Sequence, residues 1–318
     1  MSPGEQPPLR LGTRKSPMAM IQSQHVADLI TERTGRAVEL VGITTFGDVS
    51  RANLAQIGGT GVFVSGLRAS LLAGDIDLAV HSLKDLPVAT PDGITLAAVP
   101  GRDDPRDALA ARDGAKLADL PPGAKIGTGS PRRAAQLLLL RPDVRPVPVR
   151  GNADTRLGRV TSGEVDAVVL AYAGLARLGR LDAVTQVFEP EEMLPAPGQG
   201  ALAVECRSDQ PGLAALLART DDAATRAAVT AERSLLAALE AGCSAPVGGY
   251  AAGTDGVRLR AEVVAADGET VLRASAGGPA AEAERLGREV AAELLRRGAG
   301  RYTAVSAGTA GRNSNGDE

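Results

Sequence analysis

The chain has 318 residues, with 35 Lys plus Arg against 38 Asp plus Glu and a net charge of −3; 44% is hydrophobic and 23% charged. That is an ordinary globular composition, long enough for two or three domains with cores of their own. The acidic balance argues against a general nucleic-acid binder, and 2% aromatics without a single Trp leave no stacking platform for single strands.

Residues 1–8 are small and polar and read as a disordered tail, as do 313–318. Next comes LGTRKSP at 11–17, a short strand, a Gly-Thr turn, then Ser-Pro opening a helix over 18–35. Ser at the N-cap accepts from free amide donors, and Pro fits the first turn. Residues 72–80, LAGDIDLAV, read as a helix end, a Gly stop, an acidic residue and a strand apolar enough to be buried on both faces. Then the pattern recurs. IGTGSP at 126–131 leads into RRAAQLLLLRP, and SGEVDAVVL at 162–170 matches 72–80. Such self-similarity predicts two α/β units of one design, over 9–100 and 106–194. The competing reading is coincidence between two common strand-to-helix turns. A further strand is expected at 144–149. LPAPGQG at 194–200 is a Pro/Gly hinge, followed by the strand ALAVEC. From 222 a small α+β region begins. It has a helix over 223–240 stopped by Gly242, strands at 257–264 and 270–274 around the Asp267-Gly268 turn, and a last helix over 280–297.

Two cysteines, Cys206 and Cys243, cannot build a disulfide framework, and two histidines, at 25 and 81, leave no zinc cluster or His-based triad. The start, MSPGEQPP, has neither a basic n-region nor an apolar h-region, and no apolar run approaches the roughly 20 residues of a membrane helix. The expectation is a cytoplasmic chain with reduced thiols and no membrane partner.

Two α/β units joined by hinges form a cleft, and ligands bind such units at the carboxyl ends of strands. The residues expected there are Arg14, Lys15 and Ser16; His81, Ser82, Lys84 and Asp85; Thr128, Ser130, Arg132 and Arg133; and Arg150, Asn152 and Arg156. Two of these groups also sit at helix N-termini, whose free amides attract anions. A nest of cations in a net acidic protein, rich in guanidinium forks, reads as a site for a ligand with many carboxylates. Phosphate is the rival anion, but GGTG at 58–61 lacks the Lys of a phosphate loop. Asp85 is either a carboxylate kept ionised to stabilise a cationic intermediate and shuttle a proton, or a cap of the turn before Pro87. His81 reads as structural. Cys206 reads as a small apolar core group, and Cys243, in a loop of small residues, is either inert or a covalent attachment point.

AVHSLKDLP, GTGSPRRAAQL, VRGNADTRL, PAPGQGALAVECR and EAGCSAPVG, in this order, resemble the hydroxymethylbilane synthase (porphobilinogen deaminase) family, from about 9 to 305. The resemblance implies an α/β fold of two similar, hinged, type II periplasmic-binding-protein-like lobes plus a small C-terminal α+β domain. The first lobe would be 9–100 completed by 200–218, the second 106–194, and the third domain 222–312. The implied transferase condenses four porphobilinogens head to tail with loss of ammonia, on a dipyrromethane primer held by a thioether, and water releases hydroxymethylbilane. Cys243 matches the attachment position and Asp85 the catalytic carboxylate. Lys84, Ser82, Thr128, Ser130, Arg132, Arg133 and Arg156 would hold the primer. Arg14, Ser16, Gln22, Phe63, Arg150, Arg156, Arg177 and Gln199 would meet porphobilinogen or the growing polypyrrole chain. Implied too are a monomer and hand-off of product to uroporphyrinogen-III synthase. Family relatives carry lysines in the cleft loop, in a pattern like AK-x-GGKG, where this chain has Gln56 and Thr60; Arg68 is the expected substitute cation. The alternative is a non-catalytic two-lobed binding protein for a polycarboxylate, which would need neither Cys243 nor Asp85.

Overall fold

The computed structural model describes residues 7–43, 61–242 and 245–303, without the side chains of 61–63. Strand β1 (Leu9–Arg14) runs into helix α1 (Pro17–Thr34). Ser16 caps that helix as expected, its side chain accepting from the Ala19 amide, and Pro17 fills the first turn. Then come β2 (Val38–Ile43), α2 (Gly61–Ala73), β3 (Leu78–Ser82), a single 3₁₀ turn at Leu83–Asp85, and β4 (Ile94–Ala98).

After a crossing, the same order is laid down again around β5 (Asp107–Ala111). It comprises β6 (Lys125–Gly127), α3 (Pro131–Leu140), β7 (Arg145–Val147), α4 (Ala153–Thr161), β8 (Ala167–Ala171), the short α5 (Tyr172–Arg177) and β9 (Gln186–Phe188). Ser130 and Pro131 open α3 as Ser16 and Pro17 open α1. Strand β7 is shorter than the expected 144–149, because Pro146 and Pro148 have no N–H to give a ladder.

The chain then crosses back to β10 (Leu202–Arg207) and α6 (Pro211–Leu217). The third region is α7 (Ala223–Ala238), the meander β11 (Val247–Ala252), β12 (Val257–Val264) and β13 (Val271–Gly278), then α8 (Ala283–Arg296) and a terminal turn, α9 (Gly300–Thr303). Helix α7 ends two residues before the expected 240, and Glu240 itself takes a left-handed φ of 50°.

Two five-stranded sheets result, ordered β2-β1-β3-β10-β4 and β7-β6-β8-β5-β9. In each, the fourth strand runs antiparallel to its neighbours while the first three are parallel. The matching order makes the internal echo structural: β1 corresponds to β6 and β3 to β8. Each sheet buries its own core, Leu11, Ile30 and Leu78 in one, Leu109, Ile126 and Leu137 in the other. The meander packs on α7 and α8 through Leu235, Leu259 and Val290.

The two crossings lie against each other. Gly200 has φ 86°, and a Cβ there would fall 2.4 Å from the Asp103 carbonyl oxygen, so only glycine lets these segments touch.

Candidate active site

At the carboxyl ends of β1 and β3 the first lobe has a pocket of about 220 Å³, whose lining includes Arg14, Ser16, Gln22, His81, Ser82 and Asp85. The helix cap and the strand end bring these residues together from distant sequence. Gln22, buried in α1, donates to Ser82 Oγ at 2.9 Å and so ties the first helix to the strand preceding Asp85. Asp85 ends the 3₁₀ turn, whose Leu86 amide closes back on Leu83.

The second lobe answers with Thr128, Ser130, Arg132 and Arg133 at the end of β6. Thr128 is buried and its Oγ1 accepts from the Ser130 amide, while Ser130 caps α3. Arg132 and Arg133, 3% and 6% exposed, do not reach openly into a cleft. They flank Asp107, a fully buried carboxylate that sequence reasoning missed. Arg133 donates to Asp107 Oδ1 from Nε (2.9 Å) and Nη2 (2.7 Å), and Arg132 Nη2 stands 2.7 Å from Oδ2. That last approach is a charge contact without hydrogen-bond alignment, and it leaves Arg132 Nε buried with no partner among the described residues. Burial by itself would raise the Asp107 pKa; Arg132, Arg133 and Gln199 overcome it and hold the carboxyl down at about 2.

Gln199 joins the two groups. It is fully buried in the hinge, donates to Asp107 Oδ1 and the Pro105 carbonyl, and its own Oε1 accepts from Lys84 Nζ (3.2 Å) and Arg133 Nη2 (3.3 Å). Gly198, φ 76°, passes so close that a Cβ there would lie 3.2 Å from the Lys84 amide nitrogen. Arg156 is half-buried, donates Nε to the Gly151 carbonyl, and is pushed below the usual arginine range by burial and by Arg133. Arg150 is exposed, just past the pairing of Thr128 with Val147 and Val149. Neither Arg150 nor Arg156 has a carboxylate partner among the described residues.

Arg177 stands apart from this cluster. Its Nε donates to Asp103 and its Nη2 to the Gly200 carbonyl, both at 2.8 Å, and it lines a separate pocket of about 380 Å³ with Ile21, His25 and Tyr172. Arg68 is not the substitute cation expected for the cleft loop. It is 8% exposed and grips Glu205 with Nε (2.9 Å) and Nη2 (2.7 Å). His81 Nε2 lies 3.2 Å from the same fully buried Glu205, without hydrogen-bond alignment. Burial would raise the Glu205 pKa, but Arg68 and His81 bring it down to about 2. Cys206 packs as the expected small core group, its thiol pushed up to about 11 by burial. Cys243, the Phe63 side chain, Gln56, Thr60, residues 1–6 and residues 313–318 fall outside the described residues.

A family model described as the porphobilinogen deaminase dipyrromethane cofactor binding domain matches residues 9–215, and the porphobilinogen deaminase C-terminal domain matches 226–296. Porphobilinogen deaminase of Thermobifida fusca is 61% identical over 94% of this chain and 97% of its own length. Porphobilinogen deaminase 1 of Streptomyces coelicolor is 58% identical over 92% and 96%. The chain belongs to the porphobilinogen deaminase family. Among solved structures, the methionine-binding protein MetQ overlaps 67% of this chain and 89% of its own at 12% identity, with a TM-score of 0.43. The shared strand order of the two sheets, rather than that overlap, carries the two-lobed architecture.

As a family member the enzyme takes a dipyrromethane cofactor. The residues present fit it. Lys84, Arg132 and Arg133 crowd one another around Asp107, with Asp85 beside Lys84 and Arg156 close enough to Arg133 to feel its charge, so positive charge exceeds negative charge there. The unfilled Arg132 Nε adds a donor that a carboxylate can satisfy. A larger groove of about 700 Å³ contains none of the candidate site residues; its arginines are spent on Glu191, Glu262 and Glu293.

This crowding makes Lys84 sensitive to pH. Burial first, then Arg133, push its ammonium down to about 8. It is charged below that pH and neutral above it. In Cys243→Ser protein, affinity for an added carboxylate-rich oligopyrrole should therefore fall about tenfold as pH rises through about 8. Lys84→Arg should flatten that slope in a fluorescence titration; an equal slope in both proteins would remove Lys84 from anion binding.

Proposed function

We propose that, in this porphobilinogen-condensing transferase, Asp85 is the reacting carboxylate, Cys243 the thioether attachment point, and the cations around Asp107 the cradle for the cofactor. The observation that carries the reading is the concentration of Lys84, Arg132 and Arg133 about one buried carboxylate in a net acidic chain, with Arg156 near Arg133. Such a surplus is costly unless an anion offsets it.

When bound, the dipyrromethane supplies the free pyrrole position onto which substrate rings are added, together with acetate and propionate carboxylates. Ser82, Thr128, Ser130, Lys84, Arg132, Arg133 and Arg156 hold those carboxylates. Arg14, Ser16 and Gln22 shape the pocket beside Asp85 for one incoming porphobilinogen. Asp85 faces that pocket, where its carboxylate stabilises positive charge on a pyrrole nitrogen and takes up or returns a proton. Arg150, Arg156, Arg177, Gln199 and Phe63 serve the incoming or growing chain. For Arg177 and Gln199 the contacts with the crossings support a role through the hinge.

The domain division 9–100 with 200–218, 106–194 and 222–312 belongs to this proposal, supported by the membership of the three sheets. So do a monomeric enzyme, a cytoplasmic location and passage of product to uroporphyrinogen-III synthase. No helix among the described residues is long and apolar enough to cross a membrane.

Intact-mass spectrometry tests the reading. Native protein from a haem-competent host should fly as a single chain, heavier than its sequence mass by two pyrrole units, and Cys243→Ser should lose the increment and all turnover. Bare wild-type protein with full activity would overturn it.

A further inference from the structure

Nothing in the catalytic assignment uses Arg233. It projects from the middle of α7 (Ala223–Ala238), in the C-terminal region. Its guanidinium makes no ion pair within reach among the described residues. Instead Nη1 donates to the Leu86 carbonyl at 3.1 Å, and Nη2 to the carbonyls of Pro87 (2.8 Å) and Val88 (2.9 Å). These three consecutive carbonyls begin immediately after Asp85. They stand outside any strand, so the sheet ladder does not satisfy them.

One turn earlier on the same face, Val229 packs in one buried cluster with Leu83 and Leu86, which bracket Lys84 and Asp85. From the other side, Gly198 presses on the backbone of Leu83 and Lys84. The segment 83–88 is thus held at both ends, and among the described residues the side chain gripping its far end comes from the C-terminal region. A planar fork suits this task because one residue reaches three acceptors in fixed geometry, which an ammonium on a flexible stem cannot do.

We propose that Arg233 is a positioning residue: it fixes the backbone after Asp85 from the C-terminal region, and so sets the position of that carboxylate in its pocket. The proposal rests on Asp85 acting as assigned above. Displacement of a reacting group by a fraction of an ångström lowers the chemical step while leaving anion binding largely intact.

The test uses holoenzymes carrying Arg233→Ala, Arg233→Lys and, separately, Asp85→Asn. Arg233→Ala should keep the adduct mass. Its kcat should fall about tenfold or more with KM within about threefold. Amide exchange at Leu86, whose N–H closes on the Leu83 carbonyl, should quicken while that of β1 and β11 stays as in wild type. Arg233→Lys should recover part of kcat, and added guanidinium ion should partly rescue Arg233→Ala.

Unchanged kcat in Arg233→Ala overturns the proposal. So does a loss of kcat that follows a general loss of thermal stability with no local change in exchange. If Arg233→Ala does not fold, Arg233→Lys decides: reduced kcat at unchanged Tm supports the role, and wild-type kcat overturns it. Turnover surviving in Asp85→Asn would instead sink the assignment of Asp85. The exchange data would still show separately whether Arg233 holds 86–88.

Discussion

Holoenzyme with Asp85→Asn should keep its covalent adduct and lose turnover by about 10²–10⁴-fold, the usual reach of a positioned proton-transfer group. Retention of the adduct is expected because, in the proposed assignment, the cations around Asp107 rather than Asp85 offset the cofactor's carboxylates. Loss of turnover follows because an amide can neither take up a proton nor balance a positive pyrrole. The replacement is isosteric, and the 3₁₀ turn at Leu83–Asp85 is closed by backbone atoms, so Tm should hardly move. Intact mass, Tm and steady-state rate together make the check. An unaltered rate would strip Asp85 of its role; a lost adduct would make it part of the cradle instead.

Asp107→Asn should lower stability by about 3–5 kcal/mol, because it leaves two buried guanidiniums facing each other without their carboxylate. Protein carrying the adduct should lose less than Cys243→Ser protein, since the cofactor's carboxylates take over part of the neutralisation. The pH dependence has a definite sign. The folded pKa near 2 lies below the ordinary 3.8, so this contribution is fully present above about pH 4 and is lost as pH falls towards 2. Asp107→Asn should therefore flatten the acid limb of a denaturation series. Equal stability of Asp107→Asn and wild type in both adduct states would remove Asp107 as the counter-charge.

Much of this was readable from the sequence because it is local. Ser16-Pro17 and Ser130-Pro131 announce two helix starts, and the two Gly-acidic-strand segments announce two matching sheets. Clustered Arg and Lys after strand ends mark the anion site, since strand ends and helix N-termini converge in such folds.

Three carboxylates that organise the site were not readable. Asp107 lies in RDDPRD, which looks like a solvated turn. Glu205 sits in a strand that otherwise reads as continuous core. Glu232 lies on a helix as though facing water, yet it is fully buried, gripped by Arg102 and accepting from the Gly198 and Ala251 amides. Their partners lie far off: 137 residues separate Arg68 from Glu205, and 130 separate Arg102 from Glu232. Spacing carries no trace of such pairs. The same blindness made Arg68 look available to a ligand when it is committed to the core.

The strand order of the first sheet also governs when it can be completed. Among the described residues β4 is an edge strand with β10 as its one neighbour, and their pairing joins Ile94 to Arg207 and Ala98 to Val204. During synthesis, every strand of the second sheet is made before that partner. The lobe that begins the chain is therefore the later of the two to close its ladder, and β4 must wait for it with its hydrogen-bonding edge open to solvent.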